Sequence, residues 1–441
     1  MSRPQSELEY LARFRTAPIS GVSRRAVLAG ALSVGAVGLV GCGGSGGGGG
    51  SASGEVSFGN NQADEAPLKA IKANVAGFEK AHPDYKIKMN TVAHTTFQEN
   101  INNYLQGAPD DVFAWFAGYR ARFFAEKGMV GDISDVFGET KGIPASLKNA
   151  CSTADGKQIV MPATYYPWVV QYRKSVWKKH GYEIPKTIDQ FTELSKKMQK
   201  DGLTPMAFAD KDGWEAMGMF DILNLRANGY QFHVDLMSGK EDWSQAKVAK
   251  VFDLWKGLLP YHQKDALGRT WQEAAQSLQQ GKSGMYYLGT FMAQQFKTGA
   301  EQDDLDFFAF PEVDSTIGSG AIEAPTDGFM LSKRPKNEKG AKAFLSYLGS
   351  ADAQMANVAA DPSAIAVNEN ADPTKYTSLQ KRMLEVMKGA TDVAQFLDRD
   401  SRPDFASTVM GPAIQSFIKN PNDIKSMLAN VESQRKSIFG S

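Results

Sequence analysis

The chain has 441 residues, long enough for two or three domains. Apolar residues make up 42% and charged residues 22%, which excludes a disordered chain, a collagen-like chain and a disulfide scaffold. Lys plus Arg and Asp plus Glu number 49 each, so no global charge excess points to nucleic acid as a partner.

Residues 1–25 carry Arg3, Arg13, Arg15, Arg24 and Arg25 against Glu7 and Glu9, and Ala26–Val40 follows without a charge. That apolar run is shorter than the ~20 residues a spanning helix needs, and it has the length of a signal-peptide core. Arg24-Arg25 after Ser23 resembles a twin-arginine export signal. No Lys follows the pair, so twin-arginine and general secretory export both stay open. Leu39-Val40-Gly41-Cys42 resembles a bacterial lipobox. In that motif small residues admit the peptidase and the Cys thiol takes the lipid, so residues 1–41 are expected to be removed and Cys42 to carry the anchor. Two acyl chains then hold where one would bind marginally, at about 0.8 kcal/mol per buried CH₂. Residues 42–54 are almost pure Gly and Ser after the Cys. No strand precedes this tract and no Gly-Lys-Ser/Thr ends it, so it reads as a tether rather than a phosphate loop.

The remaining Cys, Cys151, has no internal partner once Cys42 is acylated, and a buried inert thiol is expected. His82, His94, His180, His233 and His262 are scattered, with no i, i+4 pair, so no metal site is expected.

From residue 55 the patterns become regular. Glu55–Gly59 reads as a strand and Asn60-Asn61-Gln62 as a polar turn. From about Pro67, Leu68, Ile71, Val75 and Phe78 make one helix face, and His82-Pro83 ends it. Tyr85–Ala93 alternates as a strand, Phe97–Gly107 is amphipathic, and Asp111–Phe116 is an apolar strand. Strand, helix, strand, helix, strand predicts a parallel sheet faced by helices, an α/β fold. Val160–Gln171 is a run rich in Val and Tyr. Thr187 and Gln190 form a capping-box pattern for a helix that Gly202 stops. Helices are further predicted over residues 248–259, 272–280, 337–348 and 412–418, and strands over 285–288 and 307–310.

Nothing in the chain spells a Gly-x-Ser-x-Gly elbow, a His-Glu-x-x-His or a Cys-x-x-Cys, and no cofactor is implied. Carboxylates are plentiful, so counting alone leaves a two-carboxylate glycosidase open. Aromatic residues beside turns are the stronger signal: Trp115 before Gly118, Tyr165 and Tyr166 before Pro167 and Trp168, Trp214 after Gly213, Phe291 after Gly289-Thr290. A sugar offers a flat C–H face for stacking and a rim of hydroxyls for Asp, Asn, Arg or Gln. In open α/β sheets ligands sit at the carboxyl ends of strands, where Trp115 falls.

The stretches Ala108–Tyr119, Gly156–Pro162, Pro185–Phe191, Gly281–Thr290 and Phe396–Asp400, in this order and spacing, resemble those of extracytoplasmic solute-binding lipoproteins of carbohydrate ABC importers, of the maltose-binding-protein type. The resemblance runs through nearly all of residues 55–439. It implies a type II periplasmic-binding-protein fold with two α/β lobes and a hinge that the chain crosses several times. Lobe one would comprise 55–163 plus 310–366, and lobe two 164–309 plus 367–441. It further implies a carbohydrate ligand (mono-, di- or oligosaccharide, or polyol) bound by hinge closure, an ABC permease as partner, and a non-enzymatic monomer on the outer face of the cytoplasmic membrane. Carried over position by position, ligand contacts fall on Asn61, Gln62, Trp115, Tyr166, Trp214, Phe291, Asp327, Arg399 and Asp400. One departure stands out: such chains often have Gly-Ser/Pro-Trp where this one has Gly289-Thr290-Phe291. A binding protein for a non-sugar solute, or a secreted glycoside hydrolase, is the alternative.

Overall fold

A computed structural model describes residues 54–144, 147–148, 150–361 and 363–440. Cys42, the signal segment and the Gly/Ser tract lie outside the described residues. The strands are β1 (Gly54–Asn60), β2 (Tyr85–Thr91), β3 (Val112–Phe116), β4 (Met161–Tyr165), β5 (Trp168–Arg173), β6 (Thr204–Ala207), β7 (Ser283–Gly289), β8 (Leu305–Phe308), β9 (Ala321–Glu323), β10 (Thr326–Leu331), β11 (Ile365–Ala366) and β12 (Asp392–Ala394).

Lobe one is built on a six-stranded sheet in the order β11-β4-β10-β3-β1-β2. The expected parallel unit is present: β1 pairs in parallel with β2 and with β3, joined by the helices Glu65–Ala81 and His94–Gln106. The sheet as a whole is mixed, because β10 runs antiparallel to β3 and β4, and β11 antiparallel to β4. Lobe two carries the four-stranded sheet β6-β7-β5-β8. Its strands pack on the helix Glu215–Asn228, in which every residue from Glu215 to Ala227 is buried.

The apolar run 160–171 proves to be two strands in two sheets. β4 belongs to lobe one and β5 to lobe two, with only Tyr166-Pro167 between them. A second crossing lies at Ala324-Pro325, between β9 and β10. This differs from the crossing expected near residue 310. Phe310 packs in lobe two, 5.4 Å from the Phe191 ring and 5.5 Å from the Tyr287 ring, and β9 stays on that side by pairing with β12. The return passes through the helix Ser378–Gly389, whose Met383 sits in a small third core with Val169, Phe307, Val358 and Ile365.

Local chemistry explains the helix ends. Thr187 Oγ1 accepts the Gln190 amide at 3.3 Å, while the Gln190 side chain accepts from the Lys186 amide rather than from the cap residue itself. Thr270 and Glu273 close a full capping box ahead of the helix Trp271–Gln279, which aims Trp271 at the lobe interface.

Cys151 is a free, fully buried thiol in the core of lobe one. Burial pushes it up to about 12, so it stays protonated and inert. Native protein at pH 8 is expected to leave Cys151 unmodified by iodoacetamide, with alkylation appearing only on denaturation. Peptide mass mapping checks this, and labelling of the native fold would refute it.

Candidate functional site

Between the lobes lies a cavity of about 290 Å³. Its lobe-one wall begins at the turn after β1. Asn60 Oδ1 accepts the Gln62 amide at 3.1 Å, and Asn60 Nδ2 donates to Gln62 O and to Thr91 Oγ1. This self-bonded turn sits at the carboxyl end of a parallel strand and places Asn61 and Gln62 on the cavity wall. Asn61 is 3% exposed, and its Nδ2 has no hydrogen-bond partner.

The lobe-two wall is aromatic. Phe291 lies 5.4 Å from Tyr166, 6.2 Å from Trp168, 6.1 Å from Trp214 and 5.1 Å from Trp271, ring centre to ring centre. Most of these contacts are edge-on, the arrangement the ring quadrupole favours. Gly289 makes the packing possible, because a Cβ there would meet the Phe291 ring at 2.4 Å. Phe396 stacks behind Trp168 at 5.0 Å. Trp168 is buried, and its indole N–H has no partner.

The hinge supplies charge. Arg399 Nη1 donates to Asp327 Oδ1 at 2.8 Å and Nη2 to the Tyr166 hydroxyl at 2.7 Å, with the guanidinium 4.1 Å over the Phe116 ring. Burial opposes the charged form of Arg399, but Tyr166, Asp327 and Asp398 outweigh it and raise its pKa. Asp327 is pushed above the usual carboxylate range by burial, with Arg399 pulling it back. Beside it, Arg120 Nη1 bonds Asp398 Oδ2 at 3.1 Å and Gln98 Oε1 at 2.6 Å. Gln98 Nε2 in turn lies 2.5 Å from His94 Nε2. Burial, with Arg399 and Arg120 nearby, lowers His94 to about 3, so it is neutral at physiological pH.

Seven of the nine positions read from the sequence line this one cavity: Asn61, Gln62, Tyr166, Trp214, Phe291, Asp327 and Arg399. Trp115 does not. It is 1% exposed inside the core of lobe one, 5.7 Å from Phe124 and 6.1 Å from Phe97, with Arg120 4.9 Å over its face. Every residue of β3 is buried, so nearness to a strand end does not put a side chain in the cleft. Phe116, one residue on, is the ring that meets Arg399.

Asp400 is the second departure. Its Oδ2 accepts the Gln395 amide at 2.9 Å, and burial pushes the carboxyl up to about 6. It faces a different cavity of about 800 Å³, lined also by Tyr165, Thr326 and Arg122. Hinge residues alternate between the two spaces: Tyr165 and Thr326 to this one, Tyr166 and Asp327 to the cleft. That is the two-residue period of extended chain. Gly118 allows the close approach of the 397–400 turn, since a Cβ there would meet Arg399 O at 3.0 Å and its φ is +101°.

Sequence reasoning missed Trp271, Phe396, Gln98, Asp361 and Asp398, all on the cavity wall. Trp271 follows a helix cap, and the search for aromatics beside turns could have found it. Asp398 lies within the Phe396–Asp400 stretch already singled out. Nothing local marks Gln98, one polar residue on an ordinary amphipathic helix.

Two α/β lobes, a hinge of several crossings and a cleft with an aromatic wall opposite a polar one define a solute-binding receptor. Residues 62–355 match the model of the bacterial extracellular solute-binding protein family, and the chain belongs to that family. It is 42% identical to the bacterial solute receptor AcbH, with a TM-score of 0.85 over 88% of this chain and 99% of that one. The description of that structure reports an exclusive preference for β-D-galactopyranose. An uncharacterised ABC transporter extracellular-binding protein of Pyrococcus horikoshii is 24% identical over 84% of this chain and 82% of its own length. The multiple sugar-binding protein of Streptococcus mutans is 24% identical over 70% and 74%. No helix among the described residues is long and apolar enough to cross a membrane.

Proposed function

We propose that this receptor captures a small sugar, best fitted by a single pyranose ring, and delivers it to an ABC importer. The observation that carries the reading is the cleft's pairing of a ring-rich wall with buried, unpartnered polar atoms. Asn61 Nδ2 and Trp168 Nε1 are buried without a hydrogen-bond partner, and such atoms are costly unless something hydrogen-bonds them. A sugar supplies hydroxyls for these atoms and a C–H face for Trp214 and Phe291. The volume, about 290 Å³, sits at the lower edge of the usual range for ligand sites, roughly 300–1,000 Å³. The galactopyranose preference described for AcbH points the same way. No catalysis is proposed, because Asp327 and Asp398 are engaged by Arg399 and Arg120 rather than standing as a free acid and nucleophile across the cleft.

Calorimetric titration with pyranose monosaccharides, then with di- and trisaccharides, tests the reading. Tight binding confined to one or two monosaccharides is expected, accompanied by a raised melting temperature. A response only to amino acids, peptides or polyamines would overturn it.

The same proposal places the protein on the outer face of the cytoplasmic membrane, held by a lipid on Cys42. Cys42→Ala is expected to release the protein from membranes or leave it unprocessed. Fractionation of cells followed by blotting checks this, and a correctly cleaved variant still bound to the membrane would refute the anchor.

A further inference from the structure

We infer that charge is part of this cleft's specificity: it admits neutral and amine-bearing sugars and rejects acidic ones, with Asp64 and Asp212 setting the preference. The inference rests on the sugar reading above and goes beyond it by naming the ionic class of the ligand.

The cleft wall carries five carboxylates, Asp64, Asp212, Asp327, Asp361 and Asp398. Among the described residues of that wall the only cation is Arg399, since no lysine reaches it and His94 is neutral. The charge of Arg399 is already balanced within the protein. Nη1 donates to Asp327 and Nη2 to Tyr166, Nε lies 3.9 Å from Asp398 Oδ1, and Phe116 covers a face. A ligand carboxylate or phosphate must therefore compete with two carboxylates for the guanidinium that would recognise it.

The carboxylates differ in what they still lack. Asp327 and Asp398 are ion-paired, and Asp361 accepts from the Ser363 amide and hydroxyl and from Gln294. Asp398 Oδ1 accepts no hydrogen bond and has only Arg399 Nε near it, at 3.9 Å, although the residue is 8% exposed. Asp64 and Asp212 have no side-chain hydrogen bond or ion pair among the described residues. Asp64 stands at the start of the lobe-one helix Glu65–Ala81 without capping it. Asp212 stands two residues before Trp214 in lobe two, beside Asp210 and Glu215, which burial, with Asp212 adding to it, pushes up to about 7 and about 8. One uncompensated carboxylate thus comes from each lobe. Both residues are exposed, and from the cleft wall they accept from hydroxyls or from an ammonium and repel an anion, an effect that salt screens.

The test uses sugars matched in shape. Galactose, galactosamine and galacturonate, with galacturonamide as the uncharged partner of the acid, are titrated into the full-length protein at low and high salt, and the glucose series in parallel. The uronate is expected to bind at least 10-fold more weakly than its own amide. The amine is expected to gain on the neutral sugar as salt is lowered. In Asp64→Asn/Asp212→Asn, both the amide-to-uronate ratio and the amine-to-neutral ratio should shrink toward one. A uronate within about 3-fold of its amide, or ratios unmoved by the double substitution, overturns the charge proposal while leaving the sugar reading intact. Binding of none of these sugars removes the sugar reading and the charge proposal with it.

Discussion

Trp214→Ala is expected to weaken sugar binding about 10-fold or more while the protein stays folded. Trp214 is half-buried at the head of the helix Glu215–Asn228, 6.4 Å from Trp168 and 6.1 Å from Phe291, so its remaining face is free for a ring. Aromatic contacts contribute roughly 0.5–1.5 kcal/mol beyond area burial, and a hot-spot residue costs about 2 kcal/mol or more on truncation. A loss of 1.4 kcal/mol is already about tenfold in affinity. Calorimetry beside a melting curve reads both quantities. A variant that melts much earlier yet binds normally once folded would assign Trp214 to the core and overturn its role in the cleft.

Trp115→Ala is expected to do the opposite. With 1% exposure and aromatic neighbours on several sides, truncation leaves a cavity that costs roughly 3–5 kcal/mol. The melting temperature should fall markedly, and sugar affinity at a temperature where the variant is folded should stay within a few-fold. Loss of binding without loss of stability would restore Trp115 to the cleft. The two tryptophans thus form a matched pair in which the same substitution separates wall from core.

Their different placements show where a single sequence is legible. Trp214 and Phe291 were found because a large ring beside glycine in a turn has few ways to be buried. Trp115 obeyed the same pattern at a strand end, but every residue of β3 is buried, so its neighbourhood carries no sign of which way it points. The first three strands and two helices of lobe one were readable because each helix buries one stripe and leaves the other wet. The helix Glu215–Asn228 escaped for the converse reason. It is buried all round and includes Asp221, Asn224 and Arg226, so no stripe exists to be seen. The antiparallel insertion of β10 beside β3 joins residues about 200 positions apart, and no local signal announces such a pairing. The hinge is the subtlest case: the run across residues 160–171 is broken by Pro162 and Pro167, but a proline alone does not tell a turn within one sheet from a crossing between two.

The ion pairs Arg120–Asp398 and Arg399–Asp327 have a consequence for fidelity. They join the turn 397–400 to lobe one with no help from a sugar. Any empty molecule they held shut would present the outline of a loaded one, and a transporter that reads outline would answer a false alarm. Burial limits that error. Stripping water from two charges costs nearly what their attraction returns, so such pairs dictate how the lobes meet while adding little to how often they meet. The frequency is left to the sugar, and the rate of false alarms becomes a quantity fixed by dehydration at the hinge.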